Sequence, residues 1–173
     1  MDRPRPHDHP AAFDDDRLLA ESDMKFLRRS GPGGQNRNKV ETAVVLHHRP
    51  TGTTAEANER RSQAENRREA LRRLRFLLAL NHRLPVDPLA PPSDLWRSRL
   101  KGGRIALNPE HEDVPAILAE ALDVLEGRGS DVKAAADVLG CSASQLVKLL
   151  KVEPRALAGV NRARAGRGLR PLA

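Results

Sequence analysis

Ser30-Gly31-Pro32-Gly33-Gly34-Gln35-Asn36-Arg37-Asn38-Lys39 is a glycine-rich stretch with a glutamine after its paired glycines and basic residues on both flanks. Two adjacent glycines let the backbone take φ > 0 and leave its N–H groups without a side-chain shield, so another molecule can approach to hydrogen-bond distance. Such a loop can deliver a backbone donor into a crowded site. The residues on either side set its frame. Upstream, residues 24–29 alternate Met24, Phe26 and Arg28 against Lys25, Leu27 and Arg29, a strand that runs into the loop. Downstream, residues 42–49 are rich in Val and Leu and read as a second strand. Pro50-Thr51-Gly52 is a turn, with Pro setting φ and Gly accepting φ > 0. Residues 53–57 return antiparallel. Over residues 61–83 the period becomes helical, with Ala64, Leu71, Leu74 and Leu78 on one stripe, widened by Leu77 and Leu84. The opposite face carries Arg60, Arg67, Arg68, Arg72, Arg73 and Arg75. The fold class that follows is α+β, a small mixed or antiparallel sheet packed on one long helix with the glycine loop protruding, followed by an all-helical module.

Residues 1–13 read as a disordered tail. Asp14, Asp15 and Asp16 supply an N-cap and first-turn acids for a short helix through Leu18, Leu19 and Ala20, opening a domain over residues 14–84. Pro85, Pro88, Pro91 and Pro92 mark a linker over residues 85–112, within which the stretch 94–108 around Trp96 takes no assignment. Residues 113–173 read as the helical module. Asp113 begins a helix through Leu125, with Pro115 tolerated in its first turn. Ala136, Gly140, Leu146 and Leu149, with Ser142 or Ser144 as the second cap, have the spacing of a helix-turn-helix. Arg162, Arg164, Arg167 and Arg170 then recur in a tail that Gly166 and Gly168 loosen.

The 173 residues are 2% aromatic, so the core is built from Leu, Val and Ala. The formal charge is +7 and the excess is largely arginine, which pairs bidentately with phosphate; a polyanion, and nucleic acid first, is the partner this implies. No run of eighteen apolar residues occurs to span a membrane, and the Pro- and His-rich start is no secretory signal. A single cysteine, Cys141, offers neither an internal disulfide nor a metal cluster, which fits a reducing cytoplasm.

Hydrolysis ordinarily needs a nucleophile, a base and oxyanion donors. The histidines at 7, 9, 47, 48, 82 and 111 show no zinc spacing and none stands beside a plausible Ser or Cys nucleophile. His47 and His48, adjacent on a strand, point to opposite faces and read as ordinary strand residues. No metal or cofactor is expected, and the chain does not read as a self-sufficient enzyme.

Arg29 to Lys39, Thr42-Ala43-Val44, His48-Arg49-Pro50-Thr51-Gly52, and Arg61-Ser62-Gln63 with Asn66 together resemble the catalytic domain of the bacterial class I peptide chain release factors and the related ribosome-rescue hydrolases. The resemblance covers residues 18–82. It implies that the loop enters the ribosomal peptidyl transferase centre, where 23S rRNA supplies most of the surroundings and water attacks the ester of the P-site peptidyl-tRNA. Gly33, Gly34 and Gln35 are then the catalytic residues. The Gln35 N–H stabilises the developing charge, including the departing 3′-oxygen, and the Gln35 side chain lines the water pocket. The family also implies a glutamine methyltransferase acting on Gln35. Arg29, Ser30, Asn36, Arg37, Asn38 and Lys39 would contact rRNA or tRNA; many members have His-Val where this chain has Asn36-Arg37. Arg61, Ser62, Gln63, Asn66 and Arg67 match a helix-start segment that resembles an RNA-docking surface, the alternative being a solvated face with local pairs to Glu59, Glu65 and Glu69.

Codon-reading members carry a further domain ahead of this one, and here a short tail and one helix precede Met24. The expected activity is therefore release of nascent chains from stalled ribosomes without stop-codon reading, by a monomer. In rescue factors a basic C-terminal segment occupies the empty mRNA channel; for Arg162, Arg164, Arg167 and Arg170 the channel, an rRNA contact and a helical cap on the catalytic domain all stay open. Two rival readings are a helix-turn-helix nucleic-acid-binding regulator and a non-hydrolytic ribosome-binding factor that keeps the fold.

Overall fold

The computed structural model describes residues 9–28, 41–87 and 90–173. They form two compact units, one of residues 13–78 and one of residues up to Ala12 together with 79–173. The architecture is mixed α+β, with a small antiparallel sheet and several helices.

The unit of residues 13–78 opens with helix α1, Asp15–Ala20, whose N-cap Asp14 accepts from the Arg17 N–H at 2.7 Å. Strands β1 (Ser22–Leu27), β2 (Ala43–His48) and β3 (Thr53–Ala57) follow, in spatial order β1-β2-β3, both pairings antiparallel. The turn between β2 and β3 carries Gly52 at φ +68°. Val44 and Leu46 on the central strand are fully buried, as are Ala55 and Ala57 beside them. Met24 and Phe26 share that face through the pairs Met24↔Leu46 and Phe26↔Val44, yet remain 38% and 39% exposed because β1 is an edge strand.

Helix α2, Gln63–Asn81, supplies the other half of this core through Ala70, Leu71, Leu74 and Leu78, each side chain contributing about 1.5–3 kcal/mol for the larger residues. Two expectations are corrected. Ala64 is exposed and does not belong to the buried stripe; at the helix start it is Asn66 that is fully buried. The helix is also shorter than residues 61–83. Ser62 precedes its first turn, and Arg83 folds back on its last turn, donating to the Ala79 and Leu80 carbonyls at 2.6 and 2.7 Å, while Pro85 disfavours helix at Leu84.

In the other unit, Pro10–Ala12 forms a 3-10 turn with Pro10 and Ala11 buried, so the last residues of the expected disordered tail are ordered. His9 holds that turn. Its Nδ1 accepts from the Ala11 N–H at 3.0 Å, which leaves Nε2 to donate to the His82 carbonyl at 3.2 Å. Burial holds the imidazole pKa down at about 4, with the Arg83 charge adding to it against the His82 hydrogen bond. The folded value lies below the unfolded 6.5, so the neutral form is the folded one. Its stability contribution is complete above pH 6.5 and is lost as pH falls towards 4, to a limit of about 3 kcal/mol. Asp123, which burial raises to about 6, acts with the opposite sign and loses its contribution as pH rises through that value. His9→Gln keeps polar atoms but cannot take up the proton, so urea unfolding followed from pH 7 to pH 4 should show a flatter loss of stability than wild type; an identical slope would assign the loss to other groups.

The 85–112 stretch is structured well beyond a linker. Ser93 caps helix α3 (Asp94–Arg99) by accepting from the Trp96 N–H, and a two-residue-strand hairpin follows, β4 (Leu100–Lys101) and β5 (Arg104–Ile105). Trp96 organises this region: it is 2% exposed and its indole N–H donates to the Leu139 carbonyl at 2.8 Å. Helix α4 (Val114–Gly127) is buried over most of its length, followed by α5 (Val132–Leu139), α6 (Ala143–Leu150) and α7 (Pro154–Ala165). Between α5 and α6, Gly140 sits at φ +67° and the Cys141 N–H reaches the Ala136 carbonyl at 3.0 Å, a Schellman turn; Ser142 caps α6. This is a helix-turn-helix. The tail after α7 is not loosened by its glycines. Gly168 at φ +69° reverses the chain, the Leu169 N–H bonds the Arg164 carbonyl, and Asn161 ties back Leu172 through both of its amide atoms.

Candidate functional site

The glycine-rich stretch lies between β1 and β2 in the sequence. Gly33, Gly34 and Gln35 lie outside the described residues, as do Arg29, Ser30, Asn36, Arg37, Asn38 and Lys39. The stem is described from both sides. Its last sheet pair is Leu27↔Ala43, and beyond it the Arg28 guanidinium pairs with the Glu41 carboxylate at 3.4 Å.

The downstream arm of the stem is tied to the start of α2. The Gln63 side-chain amide donates to the Glu41 carbonyl, and Asn66 Nδ2 donates to the Thr42 carbonyl at 2.7 Å. Asn66 also closes on the turn before the helix, donating to the Arg60 carbonyl at 2.9 Å and accepting from the Arg60 N–H at 2.9 Å. A buried side-chain amide with three good partners is a structural knot. Among the residues expected to dock RNA, Asn66 is thus turned inward, at 0% exposure, and Gln63 is engaged with the loop arm. Ser62 accepts from the Glu65 N–H at 3.4 Å.

Arg61 and Arg67 keep the outward disposition. They stand exposed with Arg60 and Arg68, and no described residue engages their guanidinium groups. Further along α2 the arginines serve the fold. Arg73 pairs with Glu59 and Glu69 and donates to the Glu56 carbonyl, while Arg75 donates to the Phe13 carbonyl and pairs with Asp15. Of one basic helix face, only the end beside the loop stem leaves its cations available. The periodicity of the sequence showed one continuous face; the groups that divide it are Asp15 on α1, the Glu56 main-chain carbonyl on β3, Glu59 in the turn and Glu69 on α2 itself.

Neither strand histidine forms part of a catalytic set among the described residues. His47 is exposed against the Thr54 hydroxyl at 2.8 Å, and His48 is 1% exposed between the Thr51 hydroxyl and Glu21. No group of three potential metal ligands occurs among the described residues. Among the described residues no helix is long and apolar enough to cross a membrane. In the C-terminal tail, Arg164 donates to the Arg170 and Ser130 carbonyls and Arg167 to the Ala163 carbonyl, so both are used internally, whereas Arg162 and Arg170 are exposed.

The RF-1 domain family matches residues 19–86, a segment that holds the three-stranded sheet and α2. The chain is 53% identical over 56 residues to the chloroplastic peptide chain release factor PrfB1 of Arabidopsis thaliana, covering 32% of this chain and 12% of that protein. It is 54% identical over 54 residues to peptide chain release factor 1 of Leuconostoc citreum, covering 30% and 15%. To peptide chain release factor 1 of Leptospira biflexa it is 40% identical over 107 residues, covering 61% and 28%. The chain therefore spans between about an eighth and just over a quarter of these relatives' lengths. No solved structure matches it significantly. Residues 19–86 thus match the RF-1 domain, the domain of the class I peptide chain release factors.

Proposed function

We propose that the protein hydrolyses the ester of peptidyl-tRNA within the ribosomal peptidyl transferase centre, and that it does so on stalled ribosomes without reading a stop codon. The observation that carries the reading is a Gly33-Gly34-Gln35 loop inside a release-factor domain, set on a stem whose downstream arm is tied to α2. A loop held at its base can present one backbone donor with little reorganisation, which is what electrostatic stabilisation of a transition state requires. The unengaged Arg60, Arg61, Arg67 and Arg68 at the same end suit docking on rRNA phosphates. In this proposal the ribosome and its P-site peptidyl-tRNA are the partners, the protein acts as a cytoplasmic monomer, and Gln35 is the substrate of a glutamine methyltransferase.

Release of labelled peptide from ribosomes stalled on an mRNA truncated in the P site tests the reading. Release there, with no added gain from a stop codon in the A site, is the expected result. No release on either complex would remove the hydrolytic reading, and release confined to stop-codon complexes would remove the rescue reading. A second reading, a nucleic-acid-binding regulator, draws on the helix-turn-helix of α5 and α6. Sequence-specific retention of duplex DNA by the full chain would favour it.

A further inference from the structure

The fold brings together two stretches of sequence that hold no acid. Residues 96–109 carry Arg97, Arg99, Lys101 and Arg104, and residues 138–152 carry Lys148 and Lys151, with no Asp or Glu in either. The β4–β5 hairpin lies against α6 and the turn before it. The Ile105 N–H donates to the Gln145 side-chain carbonyl at 3.3 Å, and Leu100 reaches Gly140 so closely that an added Cβ there would stand 3.3 Å from its methyl. Two of the six cations are neutralised, Arg97 by Asp94 and Arg99 by Asp113. Lys101, Arg104, Lys148 and Lys151 are exposed, and no described residue pairs with them.

The hairpin itself is costly to build. Its strands are two residues each, too short to persist without the neighbouring helices. Its turn needs φ > 0 at both central residues, supplied by Gly102 at +54° and Gly103 at +73°, a type I′ geometry. The cross-strand pair that flanks this turn is Lys101↔Arg104, two like charges directly opposite, an arrangement that destabilises a ribbon. The core gains nothing from these exposed side chains. Lys148 stands one turn beyond Gln145 on the same side of α6, and Lys151 one turn beyond Lys148, so the cations continue from the hairpin along the helix.

We infer that the hairpin and the outer side of α6 form a second nucleic-acid surface, one that grips the phosphates of structured RNA through Lys101, Arg104, Lys148 and Lys151. In the first turn of α6 Ser144 is exposed and Ala143 half-buried, no Arg or Asn is present, and the Gln145 side-chain carbonyl is taken by the Ile105 N–H, so the recognition is of backbone and shape. A type I′ tip with two glycines lets a phosphate come close to the main chain. The choice of RNA over DNA rests on the release-factor reading of residues 19–86; the surface does not. Arg164 and Arg167, which hold their own carbonyls, lie outside it.

The test uses the full chain and a fluorescent RNA stem-loop, with the DNA stem-loop of the same sequence alongside, titrated across salt. The double variant Lys101→Glu with Arg104→Glu should weaken RNA binding by about 10-fold or more and lower the salt slope by about 2, in line with two lost phosphate contacts. Lys148→Glu with Lys151→Glu should do the same, and thermal unfolding of both should match wild type because all four side chains are exposed. Unchanged affinity and slope in both variants would overturn the surface, and equal or tighter binding of the DNA stem-loop would overturn the choice of RNA. Peptide release by wild type is measured separately, so a protein that grips RNA through these residues but releases nothing would count against the hydrolytic reading alone.

Discussion

Replacing Gln35 by proline should abolish peptide release while leaving the protein folded, and replacing it by alanine should do far less. The two variants separate the main chain from the side chain at one position. Proline has no N–H, so the donor assigned to the transition state disappears, whereas alanine retains it. Loss of one preorganised donor in a dry site costs on the order of 10²–10³ in rate. Gly34→Ala should approach the proline result by a different route, since a Cβ removes both the clearance and the conformations open to glycine. All three changes fall outside the strands, at positions between the paired residues Leu27 and Ala43 in the sequence, so the urea midpoint should stay at the wild-type value. Single-turnover release of labelled peptide, with variants at saturation, makes the comparison. Release by Gln35→Pro within about threefold of wild type would sink the backbone-donor mechanism.

The parts of this fold that were legible in the sequence are those in which one local rule acts alone. Alternation marked the first strand, Val and Leu content the second, Pro50-Thr51-Gly52 the turn into the third, and the aspartates at 14–16 the first helix; the structure places each within a few residues of where those rules put it. The turn between α5 and α6 was legible because a glycine and a serine cap stand at fixed offsets. Legibility failed where a residue's role depends on partners distant in sequence. Trp96 gives no periodic signal, yet it organises residues 93–105 by reaching Leu139. His9 looks like part of a polar tail until the His82 carbonyl, 73 residues away, gives it a partner. The four prolines at 85–92 suggested an extended spacer, but Ser93 N–H and hydroxyl hydrogen bonds to Glu120 anchor the chain immediately after them. At the candidate site residues 29–40 lie outside the described residues, and the distinction between inward Asn66 and outward Arg67 was not legible, because adjacent polar residues at a helix start look alike until the chain before β2 packs beside them.

Asn66→Ala should lower stability by about 2–4 kcal/mol and, among molecules that remain folded, slow peptide release. The first effect follows from what is left behind. The Arg60 N–H loses its acceptor and the Thr42 and Arg60 carbonyls lose a donor, all in a part-buried setting where each stranded group costs up to about 1–3 kcal/mol before water reaches it. The second follows from position. Thr42 is the last residue of the loop before β2, so releasing its carbonyl frees the arm that carries the glycines from the helix that steadies it. Asn66→Asp sharpens the test, since it retains the acceptor for the Arg60 N–H but sets a carboxylate against two carbonyls; it should be at least as damaging although its shape is nearly unchanged. Gln63→Ala removes one donation to the Glu41 carbonyl at an exposed site, where water replaces it, and should cost less than about 1 kcal/mol. Urea unfolding measures the stability ranking. Release assayed well below the unfolding midpoint, at saturating protein, measures the positioning role, because a purely structural asparagine would leave the rate of the bound, folded variant at the wild-type value.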